Sequence, residues 1–173
     1  VWDESSDTLY WVDIKGRALH AHTPGSNVDR CINLPIEVSA VAPRIGGGLI
    51  AATRNGFAFL DPQDGRLDQI EDPEAEFPDN RFNDGTVDNL GNFIAGTMHD
   101  LERDNTGSVY CLDSEGAVKP LFGRYKVCNG SPSSPDGCTL YVSNSSETEI
   151  IAFPHNAGMQ DFGKPRLFTK ITE

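Results

Sequence analysis

The sequence predicts an all-β fold, a β-propeller of which this chain covers about four blades. Short segments with an apolar start and a polar end begin at Leu9, Leu49, Phe93 and Leu140, so successive starts lie 40, 44 and 47 residues apart. A repeat of about 40 to 50 residues is typical of one propeller blade. No stretch keeps apolar residues at helical spacing, and β-branched and aromatic residues gather in the short segments. A β-sandwich is the alternative, but it does not explain the nearly constant spacing.

Each unit repeats the order turn, strand, turn, strand. Turn signals rich in Gly, Asn and Asp precede the leading strands, as in Pro135-Asp136-Gly137 before the fourth. Residues 49–53 and 93–97 are predicted to be interior strands of their blades, because further strand-like segments follow them. Second segments are predicted at residues 18–22, 56–60, 108–112 and 150–153, and closing segments at residues 67–70, 118–122 and 166–169.

Composition restricts the partners and the location. The 173 residues are enough for one domain, which we predict to be a single β-propeller domain over residues 1–173. Asp and Glu number 26 against 14 Lys and Arg, and the formal net charge of −12 repels phosphate backbones and anionic lipids. We therefore expect neither nucleic acid nor a membrane as a partner. The sequence has no run of about 18 apolar residues and no signal-peptide pattern, which favours the cytoplasm.

The four cysteines form no CxxC pair, so they are predicted to be buried thiols rather than zinc ligands or a disulfide framework. A bridge between Cys128 and Cys138 is the alternative in an oxidising compartment.

Two segments are unusually polar for their positions in the repeat. Residues 78–85 enter the third unit, and residues 128–137 enter the fourth, at the points where innermost strands would begin. Innermost strands line the central channel of a propeller, so polar side chains at equivalent points converge on its axis. Arg81 offers a fork of donors and Asn83 an amide oxygen, which suits calcium, magnesium or manganese. The alternative is an ordinary loop with Asx turns.

The same residues carry a family resemblance. RFNDG at 81–85, followed by AGTM at 95–98, resembles the SMP-30/gluconolactonase family, which includes regucalcin. Residues 1–3 and 9–14 share the resemblance, as does Asn129-Gly130 with the SPDG turn at 134–137, so that it extends from Val1 to about Phe153.

This resemblance implies a six-bladed propeller that hydrolyses sugar lactones with one divalent metal ion in the channel. Calcium, zinc, magnesium and manganese are the candidate ions. By the resemblance, Asn129 corresponds to a metal ligand and Arg81 to a residue that holds substrate oxygens. Asn83 corresponds to a residue that contacts substrate or metal-bound water. The implied chemistry is a metal-polarised carbonyl attacked by water that a carboxylate deprotonates.

This sequence departs from the family pattern at three of the residues expected to bind metal or substrate. The family's glutamate ligand would precede Val1, and its aspartate, which is also the expected general base, would lie beyond Glu173. We therefore expect an incomplete chain that lacks blade parts at both ends. Leu101 stands where regucalcin-like members have a substrate-binding glutamate, so the substrate preference is expected to differ. If the chain supplies its own catalytic carboxylate, Asp84 and Glu102 are the first to test.

Two functions remain open from the sequence. The first is a metal-dependent lactonase, favoured because Arg81, Asn83 and Asn129 occur together. The second is a non-catalytic propeller that binds calcium or a partner, since fold does not decide function. Asp88 and Asp136 precede strands within turns, and we interpret both as structural rather than as metal ligands.

Overall fold

The computed structural model describes residues 1–26, 28–156 and 161–172, and the secondary structure of these residues is almost entirely strand. Seventeen strands and one short 3-10 turn, Ser145–Glu147, are present in this part of the chain. No helix in the described residues is long and apolar enough to cross a membrane.

The strands form four antiparallel sheets in sequence order, which we call blades 1 to 4. Blade 1 contains β1 (Trp2–Asp3), β2 (Thr8–Asp13), β3 (Ala18–Thr23) and β4 (Val28–Asn33). Blade 2 contains β5 (Val38–Pro43), β6 (Leu49–Thr53), β7 (Gly56–Leu60) and β8 (Leu67–Glu71). Blade 3 contains β9 (Asn80–Val87), β10 (Phe93–His99), β11 (Gly107–Leu112) and β12 (Val118–Tyr125). Blade 4 contains β13 (Cys128–Asn129), β14 (Thr139–Asn144), β15 (Glu149–Asn156), β16 (Asp161–Phe162) and β17 (Arg166–Lys170), and β15 pairs with both β16 and β17.

The predicted interior strands are confirmed. β6 pairs with β5 and β7, and β10 pairs with β9 and β11. Every residue of both strands is buried. A strand covered on both faces and paired at both edges is rich in apolar residues, as both of these segments are.

Three apolar clusters join successive blades face to face. Leu19 of blade 1 packs with Leu49 of blade 2, and Phe57 of blade 2 packs with Phe82 of blade 3. Ile94 of blade 3 packs with Leu140 and other residues of blade 4. The first strands also meet, because β5 contacts β9 and β9 contacts β13. Four sheets packed in succession around a common inner edge are not a two-sheet sandwich, so the sandwich alternative is wrong.

Asx turns connect the strands within the blades. Asp88 accepts hydrogen bonds from the backbone N–H of Leu90 (2.8 Å) and Asn92 (2.9 Å), and Asp136 accepts one from Cys138 N–H (2.9 Å). Gly137 follows at a φ of +70°, a conformation that glycine adopts without strain. Both aspartates therefore hold turns, as the sequence predicted.

All four cysteines are free, so the Cys128–Cys138 bridge does not form. Cys111 and Cys128 are buried as predicted, but the prediction is wrong for Cys31 and Cys138, which are exposed. Cys31 lies on the outermost strand of blade 1 and Cys138 in a turn, and no other blade among the described residues covers either side chain. Burial raises the pKa of Cys111 to about 11 and that of Cys128 to about 12.

Candidate functional site

An open cavity of about 430 Å³ lies where blade 3 meets blade 4. Arg81 and Asn83 of β9 and Asn129 of β13 all line it, so the structure brings together the three residues that the sequence singled out. The other lining residues come from the end of β10, the following loop, and the segments flanking β13 and β14: Met98, Glu102, Val127, Ser145 and Ser146. Whether these residues bind metal or substrate stays a prediction.

The alternation of β9 explains why two of these side chains share the cavity. Successive residues of a strand point to opposite faces. Arg81 and Asn83 therefore face one side, while Phe82 between them is 1% exposed and packs against Phe57 with ring centroids 4.7 Å apart. A register shift between Gly96 and Thr97 then sets Arg81 opposite Met98, at the cavity end of β10. Core packing of one residue thus fixes the direction of its two polar neighbours.

Arg81 is held by three acceptors. Its Nε donates to Asp100 Oδ1 at 2.6 Å, and its Nη1 donates to Phe82 O at 2.9 Å and to Asn83 Oδ1 at 3.1 Å. The residue is 9% exposed. Nη2 has no protein acceptor among the described residues. A guanidinium fixed in this way presents one free pair of N–H groups in a defined direction.

Asn83 and Asp84 hold the backbone on both sides of Asn129. Asn83 Nδ2 donates to Cys128 O at 2.8 Å, and Asp84 Oδ2 accepts from Gly130 N–H at 2.8 Å. The family resemblance predicted that Asn83 contacts substrate or metal-bound water, and in the structure its amide also links Arg81 to β13. One N–H and one lone pair of the Asn83 amide remain for a ligand.

Glu102, rather than Leu101, is the loop residue that lines the cavity. Leu101 is 63% exposed, whereas Glu102 adopts a φ of +52° and lies beside Ser146, whose Oγ is 3.4 Å from Glu102 Oε2. The family glutamate was expected at position 101, and the left-handed backbone carries the next residue into the cavity instead. Only the unmatched acidic residues at 100 and 102 signalled this in the sequence.

The donors around Asn129 fit a hard cation only in part. Its side-chain oxygen is the kind of neutral ligand that calcium or magnesium accepts. Within residues 1–26, 28–156 and 161–172, no group of three or more His, Cys, Asp or Glu side chains could hold a metal ion. The described residues therefore do not balance the charge of a divalent ion at this position.

Comparison with known proteins identifies the family. The profile of the SMP-30/Gluconolactonase/LRE-like region matches residues 1–173, the whole chain. The chain belongs to this family. The prediction made from RFNDG and AGTM is thereby confirmed.

Relatives of this family member show how much of the fold it contains. Regucalcin of Xenopus laevis is 32% identical over 179 residues, which cover 100% of this chain and 60% of that protein. The 6-deoxy-6-sulfogluconolactonase of Pseudomonas putida is 31% identical over 154 residues, which cover 89% of this chain and 53% of that protein. The crystal structure of a calcium-binding protein, regucalcin, from Agrobacterium tumefaciens superposes with a TM-score of 0.90 at 29% identity, covering 97% of this chain and 57% of that one. The chain thus has the family's propeller fold and spans between 53% and 60% of the length of these relatives.

Proposed function

We propose that this chain is part of a hydrolase that opens sugar lactones, with the substrate bound in the cavity between blades 3 and 4. The observation that supports this most is the convergence of Arg81, Asn83 and Asn129 on one cavity in a member of a lactonase-containing family. The name of the Pseudomonas putida relative describes a gluconolactonase, which agrees with a hydroxylated lactone as substrate.

Arg81 is proposed to donate from its free Nη2 edge to the lactone oxygens. Attack of water on the lactone carbonyl concentrates negative charge on the carbonyl oxygen before the ring opens, and a fixed cationic donor stabilises that charge more than it stabilises the neutral ground state. Glu102 is proposed to accept hydrogen bonds from the sugar hydroxyls, the task for which the family uses a glutamate one position earlier. Asn83 supplies its remaining N–H.

A divalent metal ion is proposed to bind at Asn129, with its other ligands and the general base supplied outside residues 1–173. Such an ion would polarise the lactone carbonyl and bind water. This chain's own contribution is the amide oxygen of Asn129, which accepts from Gly130 N–H at 3.1 Å. The backbone on either side of Asn129 is held by the hydrogen bonds from Asn83 to Cys128 O and from Gly130 to Asp84. Calcium, magnesium and manganese suit that oxygen donor best.

A non-catalytic calcium-binding propeller is the second candidate. It is favoured by the calcium binding named for the Agrobacterium tumefaciens relative. In that case Arg81 would have no substrate to hold.

An assay of the natural full-chain protein separates the lactonase from the non-catalytic calcium-binding propeller. Hydrolysis of D-glucono-1,5-lactone is followed by pH-stat titration. Asn129→Ala is expected to lower metal affinity and turnover together, since it removes a ligand without changing charge. Arg81→Lys is expected to raise KM about tenfold while metal affinity changes little, because the fork is lost and the charge is kept. Asn33→Ala, on the outermost strand of blade 1, is the matched control.

Two results would contradict the proposal. Parental metal affinity and turnover in Asn129→Ala would remove Asn129 from the metal site. Calcium binding without hydrolysis of any sugar lactone would favour the non-catalytic calcium-binding propeller.

A further inference from the structure

Five charged residues from three blades form one connected cluster beside the cavity. Lys15 lies between β2 and β3, Glu37 between β4 and β5, Arg54 between β6 and β7, Arg81 on β9, and Asp100 directly after β10. We call this group the cross-blade cluster. It contains three cations and two anions, and only one of its members, Arg81, lines the cavity.

Asp100 is the acceptor that connects the cluster to Arg81. Its Oδ1 accepts from Arg81 Nε at 2.6 Å and from Lys15 Nζ at 2.7 Å, and its Oδ2 accepts from Arg54 Nη1 at 3.2 Å. The side chain is 18% exposed. Burial alone would favour the neutral acid, but the hydrogen bonds from Lys15, Arg81 and Arg54 outweigh it and hold the pKa of Asp100 well below its usual range.

Glu37 shares two of these partners but not the third. It accepts from Lys15 Nζ at 3.0 Å and from Arg54 Nη1 at 2.7 Å, and it makes no hydrogen bond or ion pair with Arg81. Its side chain is 17% exposed, nearly the same as that of Asp100. The two carboxylates therefore have similar burial and charge surroundings and differ in whether they touch the cavity arginine.

We propose that Asp100 is the positioning residue for Arg81: by accepting from Nε, it turns the Nη2 edge of the guanidinium toward a lactone in the cavity. The role in substrate binding rests on the proposed function above. An arginine side chain has several rotatable bonds, and fixing one edge with a short charge-assisted bond removes much of that freedom before the ligand arrives. The negative charge of Asp100 also offsets the repulsion between Arg81 and the two other cations, Lys15 and Arg54.

Asp100→Asn, Asp100→Glu and Glu37→Gln test this assignment. Asp100→Asn is expected to raise KM for D-glucono-1,5-lactone about tenfold with a smaller change in kcat, because a charge-assisted bond is lost from a binding group. Glu37→Gln removes a carboxylate of equal burial and is expected to change KM less than about twofold. Asp100→Glu keeps the carboxylate and is expected to recover part of the affinity.

An NMR readout makes the test independent of activity. The Arg81 Nε–Hε resonance, assigned by its absence in Arg81→Lys, is expected to shift and to exchange faster with water in Asp100→Asn, while Glu37→Gln leaves it unchanged. Urea unfolding of each variant measures how far the free energy of unfolding falls when either carboxylate is replaced, so that a loss of stability is distinguished from a change in substrate binding.

Equal KM increases in Asp100→Asn and Glu37→Gln, or an unchanged Arg81 resonance in Asp100→Asn, would overturn the positioning role. If the parent protein hydrolyses no lactone but the resonance moves only in Asp100→Asn, the proposed function fails and the positioning of Arg81 by Asp100 stands.

Discussion

Gly96 of blade 3 lies close to Cys128 of blade 4, the neighbour of Asn129, and Gly96→Ala is expected to force the two blades apart. A Cβ at position 96 would overlap the Cβ of Cys128 and lie 3.5 Å from its Sγ and 3.6 Å from its Cα. Cys128 is 1% exposed and belongs to β13, so it cannot move without moving the adjacent Asn129. The glycine of AGTM is therefore a packing requirement rather than a matter of backbone conformation.

The size of the effect follows from two opposing contributions. An extra methyl group in a packed interior costs about 1–3 kcal/mol. Replacing glycine by alanine recovers about 0.4–1 kcal/mol by restricting the unfolded chain. From the middle of both ranges the free energy of unfolding should fall by about 1.3 kcal/mol, which for a chain of this size lowers Tm by about 3–5 °C.

A double-mutant cycle with Cys128→Gly tests the cause of the loss. Cys128→Gly removes the overlapping Cβ and is destabilising alone, since it leaves a cavity. In the Cys128→Gly background, Gly96→Ala should cost almost nothing, because its methyl group fills part of that space. Urea unfolding followed by far-UV circular dichroism and calorimetry measures both backgrounds. If the cost of Gly96→Ala is the same in both within about 0.5 kcal/mol, the overlap with Cys128 is not its cause.

Two further outcomes are expected from the buried polar groups. Tyr110→Phe removes the hydroxyl that donates to Glu74 Oε1 at 2.7 Å and should lower the free energy of unfolding by about 1.5–3 kcal/mol. Tyr141→Phe is the control and should have a much smaller effect. Equal urea midpoints for both variants would contradict this expectation. Burial raises the pKa of Cys128 and of Tyr125 to about 12, so the folded state keeps protons that the unfolded chain loses above about pH 8.5 and pH 10. Stability measured by urea midpoints should therefore fall as the pH rises above about 8.5, and a constant midpoint from pH 7 to 11 would refute that linkage.

The sequence by itself determined the blades, the family and the position of the candidate site. Strands and turns depend on near neighbours, so alternating apolar residues and turn residues such as those at 135–137 revealed them locally. The motif around Arg81 and Asn83 was recognisable for the same reason. Its residues are contiguous, and the strand period sets which of them share a face.

Only the tertiary structure decided how that site is held together. Asp100 meets Lys15 across 85 residues of sequence, and Asn83 meets Cys128 across 45. Glu102 rather than Leu101 lines the cavity because of one left-handed backbone angle, at Glu102 in the loop after β10. Such contacts depend on strand register, on the irregularity after Gly96, and on how closely blades pack. These properties arise from the whole arrangement of blades, and no local pattern of residues encodes them.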